Sequence, residues 1–202
     1  MSQNYLRIRN DNLQQAWAKS PQELARCLPA ALKGDGLHFQ AFGEPCLLTG
    51  EEITLAGHPA EGPEGVLIAM YAKSVPDLPV QMTPLKSFKD LPDSMPYHGA
   101  FAINAEGILI PQVERLNLHQ EAIAARFSGR IKANPISGDF SFTLYPLPRV
   151  PLYYIFNLPD EEFPASATCL FAANATDFLP VAGLADVAEY TGKKMIAIVA
   201  GE

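Results

Sequence analysis

The stretch from Phe140 to Phe156 restricts the fold of this chain more than any other. Phe140, Phe142 and Leu144 alternate with Ser141, Thr143 and Tyr145, the period-two pattern of a strand buried on one face. Leu152 to Phe156 is continuously apolar and aromatic, as in a central strand covered on both faces. Between them Pro146, Pro148 and Pro151 remove amide donors, so this segment is expected to form an edge, a bulge or a polyproline-like turn. The two runs are read as a central pair of strands.

Local signals place the remaining elements. Leu13, Ala16 and Trp17 share one helical face, with Asp11 available as N-cap. Ser20-Pro21-Gln22-Glu23 has the order of a capping box, with proline at the first helical position. Leu37–Phe42, Cys46–Thr49 and Ile53–Ala56 read as short antiparallel strands, and Glu64–Lys73 as a buried helix. The prolines between Val75 and Pro96 predict an irregular crossover with a turn of helix near Leu85–Lys89. Two helical pieces are expected between Ala105 and Gly129, a further strand at Thr168–Phe171 and a C-terminal helix over Pro180–Ile198. The fold class is α+β: a mixed, mainly antiparallel sheet flanked by helices, in a single domain over residues 1–202.

Composition excludes several functions. The chain of 202 residues carries a net charge of −7 and no Lys/Arg cluster, which argues against nucleic acid as a partner. No apolar run approaches the roughly 20 residues of a bilayer-spanning helix, and Met1–Asn12 lacks the apolar centre of a signal peptide, so a cytoplasmic location with no membrane partner is expected. Cys27, Cys46 and Cys169 have no metal-binding spacing and read as reduced, packed thiols. There is no GxSxG elbow, no GxxxxGK[ST] phosphate loop and no GxGxxG turn. His38, His58 and His119 fit no HxH or HExxH pattern, and no metal site or cofactor is assigned.

From Ser137 onward the order Ser137-Gly138-Asp139, Leu147-Pro148-Arg149-Val150-Pro151-Leu152, Asp160-Glu161-Glu162-Phe163-Pro164, Leu170-Phe171 and Phe178-Leu179-Pro180 resembles the uncharacterised bacterial family catalogued as domain of unknown function 3786. Val66–Tyr71 and the run from Ser87-Phe88 through Tyr97 to Phe101 are similar to that family's middle section. The resemblance implies an anaerobic bacterium as the setting and, through relatives fused to an iron–sulfur domain like that of corrinoid proteins, a role near one-carbon or redox metabolism. This chain departs from the pattern at Ala172 and around Val181-Ala182, where acidic residues are usual.

Seven residues are candidates for ligand binding: Phe88, Tyr97, His98, Arg149, Asp160, Glu161 and Glu162. The three adjacent carboxylates follow an apolar strand and supply oxygen ligands for a hard cation, or form a solvated turn; the turn is preferred. Arg149 is held among prolines, where its fork grips an anionic ligand or closes the Leu158–Pro164 loop by an ion pair to Asp160 or Glu161. His98 stands between aromatic residues beside a glycine, as a pocket imidazole or a surface residue on a turn. A pocket, where one exists, is expected between Phe88, Tyr97, His98 and the Arg149–Glu162 loop. The functional expectation is a non-catalytic binding or accessory module of anaerobic one-carbon or redox, corrinoid-type metabolism, with a small molecule or a protein as partner. The alternatives are an enzyme using His98 or the acidic loop as general acid–base, and a protein-interaction scaffold.

Overall fold

Helix α1 (Ser2–Ala16) starts well before Asp11, so Asp11 lies inside it and caps nothing. Its Leu13 and Ala16 are buried, and Trp17 packs on the same core. This computed structural model describes residues 2–132 and 137–201. The next helix, α2 (Pro21–Cys27), begins as its sequence predicts: the Ser20 hydroxyl accepts the Glu23 N–H at 3.2 Å and Pro21 occupies the first turn. Ser20→Ala leaves that amide without its acceptor and is expected to cost about 1 kcal/mol, measured as a lowered urea midpoint at unchanged slope.

Five short strands then form an antiparallel meander in chain order: β1 (Ala31–Lys33), β2 (Gly36–Ala41), β3 (Glu44–Leu48), β4 (Ile53–Leu55) and β5 (His58–Pro59). The turns Phe42-Gly43 and Ala56-Gly57 have positive φ at both residues, the backbone twist that suits tight hairpins. Helix α3 (Pro63–Ser74) follows and packs against α1. Its buried Leu67, Ile68, Ala69, Tyr71 and Ala72 leave little polar surface, as expected for a helix covered on several sides.

The second sheet contains β6 (Lys86–Ser87), β7 (Arg130–Ile131), β8 (Phe140–Leu147), β9 (Val150–Asn157) and β10 (Ser166–Phe171), in the spatial order β6-β10-β9-β8-β7. Every pairing in both sheets is antiparallel. The α+β class thus holds, with the strands divided between two sheets. The proline-rich segment is a bulged hairpin: the register shifts between Leu144 and Leu147, and Pro148-Arg149 turns directly into Val150. Pro146, freed from the ladder by the bulge, offers its carbonyl to the Phe42 N–H at 2.6 Å and ties the two sheets together.

The crossover holds more helix than its prolines suggest. After a 3-10 turn at Phe88–Asp90 comes α4 (Met95–Phe101), which continues as a π-helical segment over Ala102–Gly107. Pro96 falls in the first turn of α4, where a missing amide costs no hydrogen bond, so it starts a helix instead of breaking one. Helices α5 (Val113–Leu118) and α6 (Gln120–Arg126) are the two expected pieces, and α7 (Ala175–Phe178) precedes α8 (Val181–Ala200). Gly192 lies where α8 is approached closely: a Cβ there would lie 3.2 Å from Ile108 Cδ1, so the glycine admits the chain leaving the π segment close to α8. No helix among the described residues is long and apolar enough to cross a membrane.

Candidate functional site

Arg149 forms no contact with the acidic loop. Its Nε donates to the Cys27 carbonyl at 2.7 Å, one terminal nitrogen to the Leu78 carbonyl, and the other to the Arg26 carbonyl at 2.9 Å and to Asp77 Oδ1 at 3.3 Å. Its backbone N–H donates to the Tyr71 hydroxyl at 3.1 Å. The residue therefore fastens the β8–β9 turn to the carbonyl end of α2 and to the loop after α3. The expected ion pair with Asp160 or Glu161 fails because β9, eight residues long, separates the two turns by roughly 25 Å of extended chain.

Asp160, Glu161 and Glu162 are exposed in the β9–β10 connection. Asp160 Oδ1 accepts the Glu162 and Phe163 N–H groups at 2.8 and 2.7 Å, and these bonds hold its carboxyl below the usual carboxylate range. The Asp160 N–H in turn donates to the Phe163 carbonyl at 3.0 Å. The loop is a self-capped turn. The sequence-based pocket is thus not assembled as one cluster: Arg149 and Asp160–Glu162 stand at opposite ends of β9.

Phe88, Tyr97 and His98 do share a neighbourhood. The Phe88 and Phe101 rings stack at 4.1 Å, and both meet Phe171 of β10 at 5.9 and 5.8 Å, which fixes α4 on the second sheet. Tyr97 points to the surface and is 41% exposed. His98 is half-buried, with an Nδ1 that has no hydrogen-bond partner among the described residues. Beside it stands Glu106 of the π segment, whose Oε1 accepts the Cys169 N–H at 2.9 Å. Strand β6 pairs β10 only at Leu170 and Phe171, so Glu106 caps the amide that this short edge strand leaves open.

Sequence reasoning does not bring together Glu106, Tyr154 and Cys169, which meet from three separate elements; Cys169 is the packed thiol its spacing predicts. Tyr154 and Cys169 face each other in the β9–β10 register, and both are fully buried. Burial, reinforced by the neighbouring Glu106, pushes the Cys169 thiol well above its ordinary range, and burial, reinforced by Cys169, does the same to the Tyr154 phenol. Glu106 is raised as well: desolvation outweighs the Cys169 amide bond and the nearby His98. One signal was available, since Glu106 is the lone carboxylate between Met95 and Pro111.

The raised Glu106 has a testable consequence. Its folded-state pKa lies above the ordinary value of 4.5, so the native chain holds this proton longer than the unfolded chain and loses stability as pH rises through that interval. Glu106→Gln removes the ionisation but keeps an oxygen for the Cys169 amide. The melting temperature of the variant minus that of the wild type is expected to increase as pH rises past the ordinary value of 4.5. A difference that stays flat or decreases contradicts the burial argument.

A cleft of about 200 Å3 lies between α4 with its π segment and α8. Tyr97, Ala100 and Asn104 line one wall, and Ala185, Asp186 and Glu189 the other. A second cleft of about 210 Å3, bordered by Tyr5, Met70 and Tyr190, opens on the other side of the same two carboxylates. Glu189 is paired with Lys193 at 2.6 Å, whereas Asp186 has no ion-pair or hydrogen-bond partner among the described residues. Desolvation and repulsion from Glu189 push the Asp186 carboxyl up, with partial relief from Lys193. A larger hollow of about 380 Å3 near α6 is flanked by an Arg126–Glu44 ion pair that already matches its charges.

The family model described as Domain of unknown function (DUF3786) matches residues 20–194, far more than half of the chain. No curated protein and no solved structure matches.

Proposed function

The chain belongs to the DUF3786 family, and on that premise we propose that it is a non-catalytic binding or accessory module. The observation that carries this reading is the state of its reactive groups. Cys46 is pushed up to about 12 by burial, and Cys169 and Tyr154 are also raised, so none is an available thiolate or phenolate near neutral pH. Arg149 is committed to backbone carbonyls, and Asp160 to its own turn. The cleft between α4 and α8 offers an aromatic ring and a free carboxylate with no nucleophile beside them, an arrangement suited to holding a cationic group.

The setting implied by the resemblance, corrinoid-type one-carbon or redox metabolism in the cytoplasm of an anaerobe, belongs to the same proposal. Native mass spectrometry of anaerobically purified full-length chain, alone and after incubation with corrinoids, tetrapyrroles and common metabolites, tests it. Retained ligand without chemical change supports the reading; turnover of any of these compounds contradicts it.

A second reading has one specific support: Glu106 and His98 are close enough for the imidazole to influence the carboxyl, and that carboxyl is raised, as in a general acid. Under that reading any turnover found is abolished by both Glu106→Gln and His98→Asn while the fold is retained. Turnover that survives either substitution removes it.

A further inference from the structure

We propose that the outer face of α4 and its π segment, together with the Asp186 side of the adjoining cleft, docks a protein segment that presents a lysine or arginine flanked by large apolar residues. This rests on the binding-module reading above and names the surface and the partner class. Met95 is 73% exposed and Ile103 69%, with Tyr97 and Ala100 exposed between them. From Met95 to Ile110 the only charged or titratable side chains besides tyrosine are His98 and Glu106. Glu106 turns inward to β10, and His98 stands beside it. The outer face is left uncharged and mainly apolar, with Asn104 its exposed amide, in a chain that carries a net charge of −7.

Charge complementarity identifies the occupant. Asp186 lies across the cleft from Tyr97, is crowded by Glu189, and has no cation in contact among the described residues. A guanidinium or ammonium entering there meets an unpaired carboxylate and the tyrosine ring together, and relieves the repulsion that raises Asp186. The stem of such a side chain lies along Ala100 and Ala185, and apolar neighbours on the partner cover Met95 and Ile103. A second copy of this chain is a poor occupant, because it brings the same net negative charge.

The probe is a displayed library of short random peptides selected on the immobilised full chain. Binding of the enriched peptides is then measured for the wild type, Asp186→Asn, Ile103→Lys and the distant control Glu161→Gln. All three positions are exposed, and thermal unfolding checks that each variant folds as the wild type does. The expected result is enrichment of lysine or arginine beside Leu, Ile, Phe or Met, with binding weakened about tenfold or more by Asp186→Asn and by Ile103→Lys and unchanged by Glu161→Gln. No enrichment, binding equally strong in both cleft variants, or equal binding of spermidine alone overturns the inference. So does wild-type dimerisation that Ile103→Lys abolishes in sedimentation. Peptides that bind elsewhere leave the binding-module reading standing, whereas substrate turnover removes that reading without touching the docking surface.

Discussion

Replacing Arg149 by methionine is expected to destabilise the fold by about 3–5 kcal/mol. The Arg149 side chain, only 16% exposed as a whole, supplies donors to the carbonyls of Arg26, Cys27 and Leu78 and pairs with Asp77. Methionine fills much of the same volume but donates nothing, so the cost reports lost hydrogen bonds and not a cavity. Each charge-assisted bond contributes roughly 1.5–3 kcal/mol, and the total falls short of their sum because water reaches some of the freed carbonyls. Arg149→Lys is expected to recover less than half of the loss, since one ammonium cannot reproduce the fork. Urea unfolding measures both; a loss below about 1 kcal/mol for the methionine variant means the network is decorative.

Phe101→Ala is expected to cost about 3–5 kcal/mol, with a local signature. Phe101 is the side chain through which α4 enters the second sheet, stacked on Phe88 and against Phe171. Its removal leaves a cavity under α4 and loosens the segment Met95–Gly107 more than the remote β2–β3 hairpin. Hydrogen exchange should therefore accelerate first across α4 and the π segment, while Leu37–Leu48 stays protected. Equal acceleration in both regions would show that α4 has no separate attachment.

The legible parts of the fold were those whose signal is local. Ser20 and Pro21 define a helix start within four residues, and the alternation around Phe142 defines a strand without reference to its partner. The existence of α4 was obscured because Pro96 and Gly99 look like breakers until the helix start is placed before them. Arg149 is held in place, as the prolines around it suggest, but by partners other than the expected carboxylates. Backbone carbonyls of Arg26, Cys27 and Leu78 carry no side-chain signature, whereas nearby carboxylates in the sequence do. Nearness in sequence also misled at Asp160, because an extended strand carries its two ends as far apart as the chain allows. Tyr97 and His98 lie where the candidate cleft and the buried cluster meet, but Asp186, Glu106 and Cys169 come from other elements and were visible only after folding.

The proposed role of the cleft between α4 and α8 is to hold a cationic group set among apolar ones. An amide-correlation NMR titration of the full chain with acetyl-Leu-Arg-Leu-amide, and with acetyl-Leu-Asp-Leu-amide as the control, tests it most directly. Saturable shifts are expected at Tyr97, Ala100, Asn104 and Asp186 with the arginine peptide and none with the aspartate peptide. Equal responses to the two peptides, or shifts confined to the Asp160–Phe163 turn, would contradict it.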